Sequence, residues 1–182
     1  SRIFNNIKGK VNADEYVWED PSSSIEGVEF LRKKLKDYHG AIAVGSGTVS
    51  DSIKYATFLE KKVYSVFATT PMNAYTTGTA SISFDGVKKS LVAHYAQGVF
   101  FDLEVLRQCP KRLTAAAFAD VICRTTAQVD WLMSHKLLNT NYQTTPYELL
   151  SIYESEMINN ASNIAEGKIE ALALLTLISA IM

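Results

Sequence analysis

The sequence predicts an α/β fold in which a parallel sheet is followed by a helical half. Short apolar runs alternate with helix-like segments along the first part of the chain, and this strand–helix–strand order favours parallel strands. Beyond about residue 103 the short apolar runs stop, and long helical patterns replace them. We therefore expect an α/β domain over residues 1–103 and a helical domain over residues 104–182.

The first expected elements are a short strand around Glu15–Trp18 and a capped helix that ends near Gly40. Ser23 and Glu26 have the spacing of a capping box. Behind this cap, three apolar residues at helical spacing form the face that should be buried: Val28, Leu31 and Leu35.

The next segments predict a strand, a helix and a second strand. The continuous apolar run Ala41–Val44 indicates a buried strand, and Val63–Thr69 indicates another. Four residues between them form an apolar helical face: Val49, Ile53, Ala56 and Leu59.

A hairpin and a last strand complete the α/β half, and helices follow. The pair Asp85-Gly86 predicts a two-residue hairpin turn between strands Thr79–Phe84 and Val87–His94. Val99–Asp102 is a further apolar strand. The helical half is expected to contain a long helix over Leu113–Leu138, a helix capped at Thr145-Pro146, and a closing helix over Ile164–Met182.

Composition excludes several classes of protein. The formal net charge of −1 argues against electrostatic binding to nucleic acid. Cys109 and Cys123 lack metal-ligand spacing, so we expect reduced thiols in a cytoplasmic protein. The apolar tail Ile169–Met182 is too short to span a bilayer and predicts a buried helix. The chain starts without Met and stops inside a helical pattern, so we expect a piece of a longer protein.

The turn Gly45-Ser46-Gly47-Thr48 is a candidate phosphate site because it joins a strand to the start of a helix. Unpaired N–H groups and the helix dipole favour an anion at such a position. An ordinary strand-to-helix connection would have the same pattern, so the turn alone does not decide between these alternatives.

The motifs downstream of the turn carry a family resemblance. In chain order they are Asn73-Ala74-Tyr75-Thr76-Thr77, Asp85-Gly86-Val87-Lys88-Lys89-Ser90, Phe118-Ala119-Asp120 and Asp130-Trp131. Together with the glycine turn, they resemble the sn-glycerol-1-phosphate dehydrogenase branch of the metal-dependent, iron-containing alcohol dehydrogenase superfamily. Glycerol dehydrogenase and dehydroquinate synthase are more distant relatives. The resemblance implies a Rossmann-like domain that binds NAD or NADP, followed by a helical domain that carries a divalent metal, usually zinc.

The resemblance also implies roles for individual residues. It implies that nine residues bind the cofactor: Gly45, Ser46, Gly47, Thr48, Asp51, Thr69, Thr70, Thr77 and Ser81. It places Asn73 near the substrate as the catalytic position, and it makes Asp120 a metal ligand. A salt bridge to Arg124, four residues along the helix, is the alternative for Asp120.

The chain departs from the family pattern at several positions. Ser46 replaces the middle glycine of the turn, and Asn73-Ala74 replaces an Asp-Gly pair. The family's two metal-binding histidines have no counterparts here, so we expect the metal site to be incomplete in this chain. The family's first strand, which distinguishes NAD from NADP, also has no counterpart, so the choice between these cofactors stays open.

The resemblance implies interconversion of dihydroxyacetone phosphate and sn-glycerol 1-phosphate. A catalytically incapable or truncated nucleotide-binding module and a dehydroquinate synthase-like cyclase remain alternatives. The expected partner is a small phosphorylated substrate. We expect neither nucleic-acid binding nor a membrane span, and the sequence leaves open whether the protein forms a homo-oligomer.

Overall fold

A computed structural model describes residue 10 and residues 12–182. In the α/β half, the helices are α1 (Ile25–Leu35) and α2 (Gly47–Leu59), with a short 3-10 helix at Asn73–Tyr75. The strands are β1 (Gly40–Gly45), β2 (Val63–Ala68), β3 (Thr79–Phe84), β4 (Val87–Val92) and β5 (Val99–Phe101). The remaining helices are α3 (Leu103–Arg107), α4 (Lys111–Ile122), α5 (Arg124–Leu138), α6 (Thr145–Asn159), α7 (Ala161–Glu166) and α8 (Ile169–Ile181).

A parallel sheet with the order β1-β2-β5 forms the centre of the α/β half. Gly45 pairs with Ala68 and Ala68 with Phe101, so the carboxyl ends of the three strands meet at one edge. In open α/β sheets, ligands bind outside this edge. The fold class predicted from the sequence, a parallel α/β half followed by helices, is therefore confirmed.

The hairpin β3–β4 turns at the predicted dipeptide. Asp85 and Gly86 both have positive φ angles, 49° and 80°, as a type I′ turn requires. Phe84 pairs with Val87 across the turn.

The start of α1 differs from the prediction by one residue. The N-cap is Ser24, whose hydroxyl accepts the N–H of Gly27 at 3.2 Å, whereas Ser23 uses its carbonyl to accept the N–H of Ser83. The helix also ends at Leu35, before the predicted end. The ammonium of Lys62 binds the carbonyls of Leu35, Lys36 and Tyr38 beyond that end.

The predicted strand around Glu15–Trp18 is wrong, because these residues lie outside any strand. Trp18 instead packs on Phe30 of α1, with the ring centroids 6.5 Å apart. Aromatic packing therefore replaces the backbone pairing that a strand would need.

Two predicted long helices are interrupted. The first divides at Cys123, where ψ is −11°, into α4 and α5. The second divides at Gly167, whose φ of 76° forms a left-handed C-cap between α7 and α8. Cys123, at the first break, is exposed. Within residues 10 and 12–182, no helix is long and apolar enough to cross a membrane.

Three hydrophobic clusters stabilise the fold. Two lie in the α/β half, and the predicted face of α1, formed by Val28, Leu31 and Leu35, is buried in one of them. The third joins α4, α6, α7 and α8 in the helical half. Met72 packs against both the helical cluster and the sheet cluster that contains Tyr75. The segment around the 3-10 helix therefore lies where the two halves of the chain meet.

Candidate functional site

The turn from β1 into α2 leaves helix N–H groups free. Ser46 is the N-cap residue, yet its side chain caps no N–H group. The N–H of Ser50 is the first that bonds to the cap, through the carbonyl of Ser46 at 3.0 Å. The N–H groups of Gly47, Thr48 and Val49 consequently lack backbone acceptors among the residues that the structure describes.

The two glycines of the turn have a steric role and no strained backbone. Among the described glycines, only Gly86 and Gly167 have positive φ angles. A Cβ at Gly45 would lie 3.0 Å from the Cβ of Val49, so the missing side chain lets α2 pack close to the end of β1. Ser46 has a φ of −86°, and a serine therefore fits where the family pattern has glycine.

The residues after β2 hold the turn from the neighbouring strand. The N–H of Thr69 donates to the carbonyl of Gly45 at 3.1 Å, and the hydroxyl of Tyr75 lies 3.4 Å from the same carbonyl. Thr70 is buried and shares a short hydrogen bond with the hydroxyl of Tyr75. Burial raises the pKa of Tyr75 to about 12, so its phenol stays protonated.

The predicted residues Thr77 and Ser81 are bound by two side chains of α2, Lys54 and the predicted Asp51. The ammonium of Lys54 lies 3.3 Å from the Thr77 hydroxyl and 3.6 Å from the Asp51 carboxylate. The other oxygen of Asp51 accepts the N–H of Ser81 at 3.2 Å. Burial raises the pKa of Asp51 and lowers the pKa of Lys54, and the ion pair opposes both shifts.

Lys54 and Tyr75 make contacts within the site, although neither is among the residues predicted for it. The predicted apolar face of α2 is partly wrong: Leu59 is exposed, and the fully buried side includes the polar residues Ser50, Lys54 and Thr57. The signal for Lys54 was its spacing from Asp51, since acid and base three residues apart meet on a helix.

Asn73 opens the 3-10 helix beside the turn. Its carbonyl accepts the N–H and the hydroxyl of Thr76, while its side-chain amide has no hydrogen bond among the described residues. The next residue, Ala74, faces the turn, because a Cβ at Gly47 would lie 3.6 Å from the Ala74 methyl. Asn73 is therefore near the free helix terminus.

Asp120 lies on α4 and is partly exposed. The alternative of a salt bridge to Arg124 is wrong, because Arg124 is nearly buried and pairs with Glu154 of α6. Asp120 makes no ion pair or hydrogen bond to the turn residues in the described part of the chain.

The described residues do not fit a complete metal centre. Zinc takes about four ligands, yet residues 10 and 12–182 contain no group of three or more His, Cys, Asp or Glu side chains placed to hold an ion. Asp120 alone therefore remains a predicted ligand.

The comparisons with known proteins identify the family. Residues 2–110, more than half of the chain, match the model described as iron-containing alcohol dehydrogenase. The chain therefore belongs to the iron-containing alcohol dehydrogenase family, as the sequence motifs predict.

The curated relatives define the branch. The chain is 30% identical over 141 residues to the glycerol-1-phosphate dehydrogenase of Geobacillus thermodenitrificans, covering 77% of this chain and 35% of that protein. It is 32% identical to enzymes of the same name from Methanosphaera stadtmanae and Pyrococcus abyssi. These matches cover 76% and 80% of this chain, and 40% and 42% of the relatives. The resemblance to the glycerol-1-phosphate dehydrogenase branch is confirmed, and the chain spans about two fifths of these relatives' length.

Solved structures agree on the fold. A probable glycerol dehydrogenase from Sinorhizobium meliloti superposes with a TM-score of 0.75 at 14% identity, covering 98% of this chain and 56% of that one. An iron-containing alcohol dehydrogenase from Thermotoga maritima superposes with a TM-score of 0.70 at 17% identity, covering 92% of this chain and 50% of that one.

Proposed function

We propose that the protein containing this chain is an NAD(P)-dependent oxidoreductase that interconverts dihydroxyacetone phosphate and sn-glycerol 1-phosphate. The observation that carries the proposal is the free N-terminus of α2 at the carboxyl edge of the sheet. The names of the curated relatives support the substrate. The choice between NAD and NADP stays open, and a cytoplasmic location remains a prediction.

The residues of the turn fit a dinucleotide phosphate. The N–H groups of Gly47, Thr48 and Val49 would donate to it, and the helix dipole favours its negative charge. The partly exposed hydroxyls of Ser46 and Thr69 make no hydrogen bond among the described residues and are available as further donors.

The hydroxyl of Thr70 is occupied by Tyr75, so a side-chain contact from Thr70 to the cofactor would require that bond to break. When bound, the cofactor supplies the hydride that reduces the ketone carbon. The chain's own residues would orient it, with Thr77 and Ser81 on the nicotinamide side and Asn73 near the substrate. We further propose that Asp120 supplies one ligand of a divalent metal, zinc being the expected ion, in the complete protein.

The test is turnover by the protein expressed from the complete reading frame. NADH or NADPH oxidation should depend on dihydroxyacetone phosphate and should be lost in the Asp120→Ala variant. Asp20→Ala is the matched control, because Asp20 is exposed and makes no interaction among the described residues. Cofactor binding without turnover in the unmodified protein would instead favour a nucleotide-binding module, and unchanged activity in Asp120→Ala would remove Asp120 from the site.

A further inference from the structure

Lys54 is a fully buried cation in the middle of α2, with 0% of its side chain exposed. An isolated buried ammonium is unfavourable unless its donors are satisfied. The three N–H donors of Lys54 have three acceptors: the carbonyl of Ala74 at 2.6 Å, the carbonyl of Thr79 at 2.8 Å and the hydroxyl of Thr77 at 3.3 Å. The lysine is therefore fixed in one position.

The acceptors of Lys54 all lie on one segment, Ala74–Ser81. Asp51, one turn earlier on α2, binds the far end of that segment through the N–H of Ser81. Two side chains of one helix thus hold the segment at three backbone atoms: two carbonyl oxygens and one N–H group.

This segment needs external support, because Thr76–Gly78 have neither helical nor strand structure. On its other side, the carbonyl of Gly78 accepts the N–H of Ala93 at 2.8 Å. A loop without regular backbone hydrogen bonds keeps a defined position only when surrounding contacts hold it. The Asp51–Lys54 pair supplies such contacts from the helix whose first turn is the proposed phosphate site.

We propose that Asp51 and Lys54 are positioning residues that hold Ala74–Ser81 beside the phosphate turn, so that Thr77 and Ser81 meet the nicotinamide end of the cofactor. This inference rests on the proposed function. It gives Asp51 a different role from direct cofactor binding: Asp51 acts through the N–H of Ser81 and the ammonium of Lys54. One helix then binds the cofactor phosphate with its N-terminus and sets the position of the nicotinamide-side segment with its second turn.

The test compares NADH with ADP in the protein expressed from the complete reading frame. ADP carries the adenosine and the pyrophosphate and lacks the nicotinamide, so it probes the turn without the nicotinamide side. The Lys54→Met variant should raise the Kd for NADH about tenfold, equivalent to about 1.4 kcal/mol, and leave the Kd for ADP within about twofold. Amide hydrogen exchange over residues 74–81 should become faster, while exchange in β1 and β2 stays unchanged.

Two further variants keep the test decisive. Asp51→Asn retains an acceptor for the Ser81 N–H and loses the charge, so it should show a smaller form of the same effect even if Lys54→Met does not fold. Lys33→Met is the matched control, because Lys33 is exposed on α1 and makes no interaction among the described residues.

Equal losses of NADH and ADP affinity, or unchanged exchange over residues 74–81, would overturn the positioning role. If the unmodified protein binds none of NADH, NADPH and ADP, the proposed function fails instead, and the exchange data still decide whether the pair holds the segment. If it binds NADPH and not NADH, NADPH takes the place of NADH in the comparison.

Discussion

Replacing each glycine of the turn by alanine should have opposite effects on stability. Neither Gly45 nor Gly47 has a positive φ, so the backbone accepts alanine at both positions and only the space for the methyl group differs. At Gly45 the new Cβ would lie 3.0 Å and 3.1 Å from two carbon atoms of Val49, which forces α2 away from β1. Overpacking of this kind costs about 1–3 kcal/mol.

At Gly47 the nearest atom to the new Cβ is the Ala74 methyl at 3.6 Å, an ordinary contact. Alanine there should stabilise the chain by about 0.4–1 kcal/mol, because it reduces the entropy of the unfolded state. The free energies of unfolding of the two variants should therefore differ by at least about 1.4 kcal/mol. Urea unfolding followed by circular dichroism measures this difference. Equal stabilities, or a less stable Gly47→Ala, would refute the steric account of the turn.

Three other predictions concern the remaining charged and titrating groups. Burial lowers the pKa of His94, so near pH 6.5 the unfolded chain binds more protons than the folded chain. The free energy of unfolding should therefore decrease as the pH falls from about 6.5 towards the folded pKa. The His94→Phe variant should flatten this part of the profile of urea midpoint against pH, and an unchanged profile would exclude His94 as the cause. The Arg124→Met variant should lose about 3 kcal/mol of stability, because it leaves Glu154 unpaired. The double variant Arg124→Met, Glu154→Leu should recover most of that loss. Equal losses of stability in the single and the double variant, measured by thermal unfolding, would contradict this. The 182-residue chain alone should retain less than one zinc after dialysis, since Asp120 is one of about four ligands needed, and stoichiometric zinc by mass spectrometry would show that its site is complete.

Apart from the wrongly expected strand around Glu15–Trp18, the strands and the hairpin were predictable because their signals are local. Asp85-Gly86 specifies its turn through the backbone preferences of two adjacent residues, and the apolar run Ala41–Val44 needs no distant partner to be recognised as a strand. The interruptions at Cys123 and Gly167 are harder to predict. A break of one or two residues changes the helical pattern little, and an isolated glycine is tolerated inside a helix.

The candidate site was predictable in its segments and not in its internal contacts. The turn residues were recognised by their motif, yet the acceptors of Lys54 lie 20 to 25 residues further along the chain. A lysine on a helix usually reaches solvent, and only the tertiary structure shows that this one is enclosed. The wrong partner for Arg124 has the same origin, since Glu154 comes from another helix 30 residues away.

Met72 connects the two hydrophobic cores beside the proposed cofactor site. Its side chain packs in the sheet cluster and in the helical cluster, and it immediately precedes Asn73. Methionine has an unbranched, polarizable side chain that keeps its contacts while its surroundings shift. A thioether side chain of this kind can keep both sets of contacts when the helices shift slightly relative to the sheet, without opening a void. The one described side chain that packs in both cores therefore stands next to Asn73, at the edge of the proposed cofactor site.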